Sequence, residues 1–242
     1  VFYGEPLAKI HQESFSGHWS MAAPALLDTF SENSLSGGHL VDLGCGDGGW
    51  LRALTDAGYE ATGVEISSAF LALARQTAPK AHHLQASVHK ANLPPCDAVT
   101  ALGEVLGYLP DGLNGPRPDL GQTFARVYEA LRPGGLFVFD LLVAGEPMQY
   151  RHWREGQGWS LLVDVSEDTA AGLLKREIII FSQEADGRYV RTAECHWLQV
   201  PKPEVVVEML SRQGFSVETS TAYGQMPLLP RRSAFWAKKP SA

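Results

Sequence analysis

The stretch Leu40-Val41-Asp42-Leu43-Gly44-Cys45-Gly46-Asp47-Gly48 constrains the fold of this chain more than any other. A short apolar run ends in closely spaced glycines and is followed by a helical pattern from Trp50 to Ala57. That is a strand turning sharply into a helix. Glycine suits such a turn because the backbone can pass close to a ligand with no Cβ in the way. Further on, Ala61 to Ile66, His83 to Ala86, Ala98 to Leu102 and Leu136 to Leu142 read as strands. Ala69 to Thr77, capped by Ser67 or Ser68 and stopped by Pro79, and Leu120 to Leu131 read as helices. Strands alternating with helices over residues 39–142 predict an α/β fold, with a doubly wound, mostly parallel, seven-stranded sheet and helices on both faces. Ligands of such sheets sit outside the carboxyl ends of the strands, where the winding reverses. Gly44 to Gly48, Glu65, Ser87 and Leu102 to Glu104 all fall at those ends.

The flanks read differently. Leu7, Ile10, Phe15, Trp19, Leu26, Leu27 and Phe30 recur at helical spacing, broken by Gly17 and Pro24. After residue 145 the pattern turns β-rich. Trp159 to Val165, Lys175 to Gln183 and Arg188 to Val200 are strands, with Ala185-Asp186-Gly187 as the turn between the last two. Glu204 to Gln213 is a helix closed by Gly214, and Phe215 to Thr221 and Ser233 to Lys238 are strands. The expected organisation is a helical cover (1–38), a ligand-binding core (39–145), an antiparallel β insertion serving as substrate lid or dimer element (146–200), and a helix with strands completing the core sheet (201–242).

Gly44-Cys45-Gly46-Asp47-Gly48-Gly49 matches G-x-G-x-x-G, the dinucleotide fingerprint. A dinucleotide would place its pyrophosphate over the helix N-terminus here. Asp42 and Asp47 would repel it. S-adenosylmethionine carries no phosphate, and its sulfonium and α-ammonium are cations that neighbouring acids attract. Glu65 ends the second strand about twenty residues beyond the loop, where a carboxylate accepts hydrogen bonds from ribose hydroxyls. That feature fits either nucleoside cofactor.

Four pieces in order resemble the class I S-adenosylmethionine-dependent methyltransferases: Val41 to Gly48, Gly63-Val64-Glu65-Ile66-Ser67, Cys96 to Glu104, and Leu131-Arg132-Pro133-Gly134-Gly135-Leu136-Phe137. The start of the chain and the late insertion resemble bacterial small-molecule methyltransferases. The resemblance implies that Asp42, Gly44, Cys45 and Gly46 hold the methionine part of S-adenosylmethionine, Glu65 the ribose, and Ile66 the adenine. Ser87, where an aspartate is commoner, and Val88 would meet the adenine edge. Leu102, Gly103 and Glu104 would pass under the transferable methyl, leaving S-adenosylhomocysteine as product. The N-terminal helix would cover the cofactor, with Tyr3, His11, Phe15 and Trp19 as candidate contacts.

The implied reaction is in-line transfer of the methyl to an O or N of a small-molecule acceptor. The cofactor carries the difficult chemistry, and the protein orients the nucleophile and excludes water. A base is needed only where the nucleophile arrives protonated. Candidates are Glu104, at the end of the fourth strand, and His196 in the insertion, with His152 behind them. Tyr150, Trp153, Trp159, Tyr189, Trp197, Tyr223 and Arg231-Arg232 would suit a partly apolar, anionic acceptor, or would fill a thin β-layer or a dimer seam. A nicotinamide-dependent oxidoreductase and a non-catalytic nucleoside-binding module remain as alternatives, since fold alone never settles function.

Composition excludes some classes. A net charge of -7 argues against binding nucleic acid, which needs a basic face. Cys45, Cys96 and Cys195 lie far apart, without zinc spacing, so no metal site and no disulfide is expected. No segment approaches the ~20 apolar residues that span a bilayer, and Val1 to Ile10 lacks the pattern of a signal peptide. The expectation is a cytoplasmic protein with no membrane contact, a monomer or homodimer.

Overall fold

The computed structural model describes residues 2–14 and 17–241, the side chains at 17 and 18 excepted. Two helices, α1 (Glu5–Ser14) and α2 (Gly17–Glu32), open the chain. There follow β1 (His39–Leu43), α3 (Gly49–Asp56), β2 (Glu60–Glu65), α4 (Ser68–Thr77), β3 (His82–Gln85), β4 (Cys96–Ala101) and a short β5 (Tyr108–Leu109). Next come α5 (Leu120–Ala130), β6 (Leu131–Leu142), β7 (Tyr150–Gly156), β8 (Trp159–Asp168), β9 (Leu173–Gln183) and β10 (Tyr189–Gln199). The chain closes with α6 (Pro203–Gln213), β11 (Ser216–Ser220), β12 (Ala222–Tyr223), β13 (Met226–Pro227) and β14 (Arg232–Lys238).

The main sheet has seven strands in the order β11-β14-β6-β4-β1-β2-β3. β3, β2, β1, β4 and β6 run parallel, and β14 runs antiparallel against β6. This is the doubly wound sheet expected from the alternation. β1 is central, and four of its five residues are buried, as a strand covered on both faces requires. On one face Val41, Val99, Phe124, Phe137 and Phe139 pack with α5 and α6. On the other, Leu40, Ala98, Leu26, Phe30 and Leu51 pack with α2 and α3. The winding reverses between β1 and β4, which places the ligand crevice above that pair.

A second, antiparallel sheet has the order β5-β10-β9-β8-β7. The insertion supplies four of its strands. Tyr108–Leu109 supplies the fifth by pairing with Trp197–Leu198. Sequence reading missed β5, since two residues carry no period, and it missed the wholly exposed β7, which shows no alternation. The inner face packs on α1 through Leu7, Ile10, Trp159, Leu161 and Ile180, and on the main sheet through Leu142, Val165, Leu174 and Leu198.

Two local expectations are corrected. The sequence predicts a break at Pro24, yet this residue lies inside α2. An interior proline costs about 3 kcal/mol, and burial of Ala22, Ala23, Leu26 and Phe30 around it offsets that. Strand β6 begins at Leu131 rather than Leu136, taking Pro133-Gly134-Gly135 into a bulge where the register against β4 shifts. Phe15 lies outside the described residues. Among those residues no helix is long and apolar enough to cross a membrane, the three cysteines are free, and no cluster of ligating side chains could hold a metal.

Candidate active site

The glycine loop makes the tight turn from β1 into α3. Gly44, Gly46 and Gly48 all have positive φ (74°, 54° and 82°). A Cβ on Gly44 would strike Val105 at 2.5 Å, so there glycine serves packing. A Cβ on Gly46 would meet nothing within 4 Å. Gly103, just past β4 at φ 87°, also faces open space. The two open backbones stand on either side of the reversal point.

Acids surround this space. Glu65, at the end of β2, is buried and accepts from Gly46 N (3.1 Å) and Ser67 N (2.8 Å). Burial pushes its carboxyl above the usual range, against the hydrogen bonds. Asp42 is buried too. Its Oδ1 accepts from Thr100 Oγ1 at 2.7 Å, and Thr100 accepts in turn from Trp50 Nε1. Burial first, and Glu65 in addition, push Asp42 up to about 7, against the Thr100 hydrogen bond. Asp47 accepts from Gly49 N at 3.1 Å and so holds the first turn of α3. That carboxylate stands where a pyrophosphate would need the helix N-terminus. Buried acids that disfavour their own charge are an arrangement a cation relieves.

Two cavities meet at Ile66. One, of about 660 Å³, is lined by Tyr3, Ser67, Ala69, Ala72 and Leu73 as well as Ile66. The other, of about 400 Å³, is lined by Ile66, Ser87, His89, Lys90 and Asp119 among others. Ile66 and Ser87 therefore line one cavity. Val88 instead packs against the apolar core, and Leu102 leans on the core cluster of the opposite face. Cys45 is buried, with burial pushing its thiol well above the usual range, so it is an inert wall residue.

The second sheet meets the loop after β4. Arg176 on β9 lies directly opposite His196 on β10, so both point from the same face. Arg176 donates to Glu104 Oε2 (2.8 Å) and to the Tyr108 hydroxyl (2.9 Å). Arg232, at the start of β14, donates to Glu104 Oε1 (2.6 Å). Glu104 itself is buried at φ 64°, rare for a residue with a Cβ. Burial would raise its carboxyl, but the two arginines outweigh this and hold it below the usual range. Asp140 on β6 fixes the backbone beneath, accepting from Gly103 N (2.8 Å), Glu104 N (3.0 Å) and the Tyr223 hydroxyl (2.9 Å). Tyr3 reaches into this group, its hydroxyl 3.1 Å from that of Tyr108.

A family model described as a methyltransferase domain matches residues 40–135. Residues 40–135 form a methyltransferase domain. Its fold is that of the class I S-adenosylmethionine-dependent methyltransferases. A solved S-adenosylmethionine-dependent methyltransferase from Clostridium acetobutylicum ATCC 824 superposes with a TM-score of 0.81 at 17% identity, covering 97% of this chain and 98% of that one. An amino pentose methyltransferase from Micromonospora echinaspora, solved with S-adenosylmethionine, gives 0.73 at 20% identity over 99% and 98%. A protein of Geobacillus sp. (strain WCH70) is 25% identical over 201 residues, 76% of each chain.

Around the methyltransferase domain, several candidate residues stand elsewhere than expected. Tyr150, Trp153 and Tyr189 are exposed on the second sheet. Trp159 packs on α1 and donates to Glu13. Arg231 is committed to Glu167 and the Val143 carbonyl. His152 sits exposed on β7, bonded by Arg154. Trp19 packs against Gly49, and His11 lies edge-on to Tyr3 and Phe70. Sequence reasoning passed over Tyr108, Asp140, Arg176 and Glu194. No motif marks them, because each enters the site through sheet register.

Proposed function

We propose that the protein transfers the methyl group of S-adenosylmethionine to an oxygen or nitrogen of a small-molecule acceptor by in-line displacement. One observation carries the reading. Gly46 and Gly103 face open space on either side of the β1–β4 reversal, with the Glu65 carboxylate at the adjoining strand end. The residues present fit the cofactor: Asp42 and the Gly44–Gly46 backbone toward the methionine part, Glu65 toward the ribose, and Ile66 with Ser87 toward the adenine. When bound, the cofactor supplies a methyl already activated by its sulfonium.

What remains for the chain is orientation and exclusion of water. The second sheet serves as the lid, presenting Tyr108, Arg176 and His196 to the crevice. Tyr3 covers it from the N-terminal side. Glu104, tied to two arginines, anchors the lid to the loop after β4 and is a weak proton acceptor. His196 is then the base. A small acceptor is also what the amino pentose enzyme of similar fold takes.

Calorimetry with S-adenosylmethionine and S-adenosylhomocysteine should show micromolar binding; flat traces with both would sink the proposal. A labelled-methyl transfer screen over a metabolite library then identifies the acceptor. Affinity for the methyl donor should also depend on pH. Asp42, raised to about 7, is protonated below that pH and charged above it. A cation favours the charged form, so affinity should fall by about tenfold from pH 8 to pH 6. Asp42→Asn should flatten that dependence in the same calorimetric titration.

A further inference from the structure

We propose that Glu194 and His196 form the proton-accepting dyad of the methyl transfer, with His196 Nδ1 as the atom that takes the acceptor's proton. The proposal rests on the methyl-transfer reading above. Glu194 and His196 are two apart on β10, so both side chains leave the inner face of the lid. His196 Nε2 lies 2.8 Å from Glu194 Oε2, and the ring is 1% exposed. The same carboxylate accepts from Tyr3 N (2.7 Å) and Gly4 N (2.8 Å). A carboxylate held by donors only is ionised. Burial would raise Glu194, but His196 and the two backbone N–H groups keep it below the usual range.

An ionised carboxylate on Nε2 requires the hydrogen to be there, which leaves Nδ1 with its lone pair. Nδ1 is buried with no partner among the described residues. A buried polar atom left unsatisfied calls for a reason, and a proton brought by substrate supplies one. The ring lies against Phe2 (4.8 Å between centroids), Tyr3 (4.7 Å) and Tyr108 (5.8 Å). Ser67 Oγ donates to the Tyr3 carbonyl at 2.6 Å, and Ser67 N donates to Glu65. The strap of residues 2–4 is thus pinned to the dyad at one side and to the ribose-binding corner at the other. Phe2 is the neighbour of the ring that the acceptor would displace, since it is only partly buried.

As the acceptor atom's lone pair bonds to the methyl carbon, the carbon–sulfur bond breaks and its pair stays on sulfur. The acceptor's proton passes to Nδ1, and the imidazolium is balanced by Glu194. His196 then returns the proton to solvent when the strap opens. The charged and titratable groups facing the ring are Glu194 on its own strand, Arg176 on β9 with Glu104 behind it, Tyr108 on β5, and Tyr3 on the strap, with His11 beyond. His196 is the catalytic residue and Glu194 its positioning residue.

His196→Gln keeps a donor for Glu194 and removes the lone pair. This variant should fold and bind S-adenosylhomocysteine within twofold of the parent. Its transfer to the acceptor found in the labelled-methyl screen should fall by about 10²–10⁴-fold, and the acid limb of kcat/KM against pH should vanish. Nitrogen-15 spectra of the histidines, with and without S-adenosylhomocysteine, should show His196 with its hydrogen on Nε2. Glu194→Gln should lose that single tautomer. Near-parental transfer by His196→Gln, or a hydrogen on Nδ1 in the parent, overturns the dyad alone. Failure of the parent to bind S-adenosylhomocysteine overturns the methyl-transfer reading and the dyad with it.

Discussion

Glu104→Ala should lower the unfolding free energy by about 3–5 kcal/mol, read as a shift in the denaturant midpoint at constant slope. The carboxylate is the shared partner of Arg176 and Arg232, whose side chains are only 16% and 18% exposed. Removing it leaves two cations facing each other in a desolvated site, and the loss of partner outweighs the loss of the bonds themselves. Alanine also inherits the left-handed backbone at φ 64°. Glu104→Gly relieves that strain and should be about 1 kcal/mol less damaging than alanine, although it removes more side chain. An alanine variant within 1 kcal/mol of the parent would show that the triad does not hold the lid. The pH dependence follows from the sign of the shift. The folded-state carboxyl is depressed, so its contribution is complete above the ordinary carboxylate range and is lost as pH falls into strong acid.

Glu65→Ala should weaken S-adenosylhomocysteine binding by roughly 10²–10⁴-fold, the equivalent of two hydrogen bonds to a charged group. Gly46 N and Ser67 N hold one Glu65 oxygen each, and each oxygen keeps acceptor capacity for a ribose hydroxyl. Gly46→Val tests the other half of the pocket. Its φ of 54° disfavours any Cβ, and a β-branched one most. Among the described residues nothing beyond the chain neighbours lies within 4 Å of that Cβ, so the clash would be with the ligand rather than the fold. The valine variant should therefore lose at least tenfold in affinity while keeping most of its thermal stability. Near-parental calorimetric binding in both variants would move the cofactor site elsewhere.

Much of this architecture is legible in one dimension. The strand ends at Leu43, Glu65 and Ala101 lie within a residue of where apolar runs meet glycine or a capping serine. Ser67 is one of the two caps the sequence offers, and its Oγ accepts from Phe70 N. The insertion showed its β character through alternation that the inner-face burial of Trp159, Leu161 and Val165 explains. The failures are equally physical. The local cost of Pro24 predicts a break, but tertiary burial outweighs it. Conspicuous aromatics suggest acceptor walls, yet Tyr223 is a buried support for Asp140 and Trp153 faces solvent.

The amino-acid sequence by itself determined the doubly wound sheet, the glycine turn and the acid at the end of β2. Each is imposed by backbone conformation or by the period of side chains within a few residues. Only the tertiary structure decided what surrounds Glu104 and His196. Arg176 is 72 residues from Glu104 and Arg232 is 128. Strand register and the packing of one sheet on another bring them together, and such long-range contacts leave no local signature in the chain.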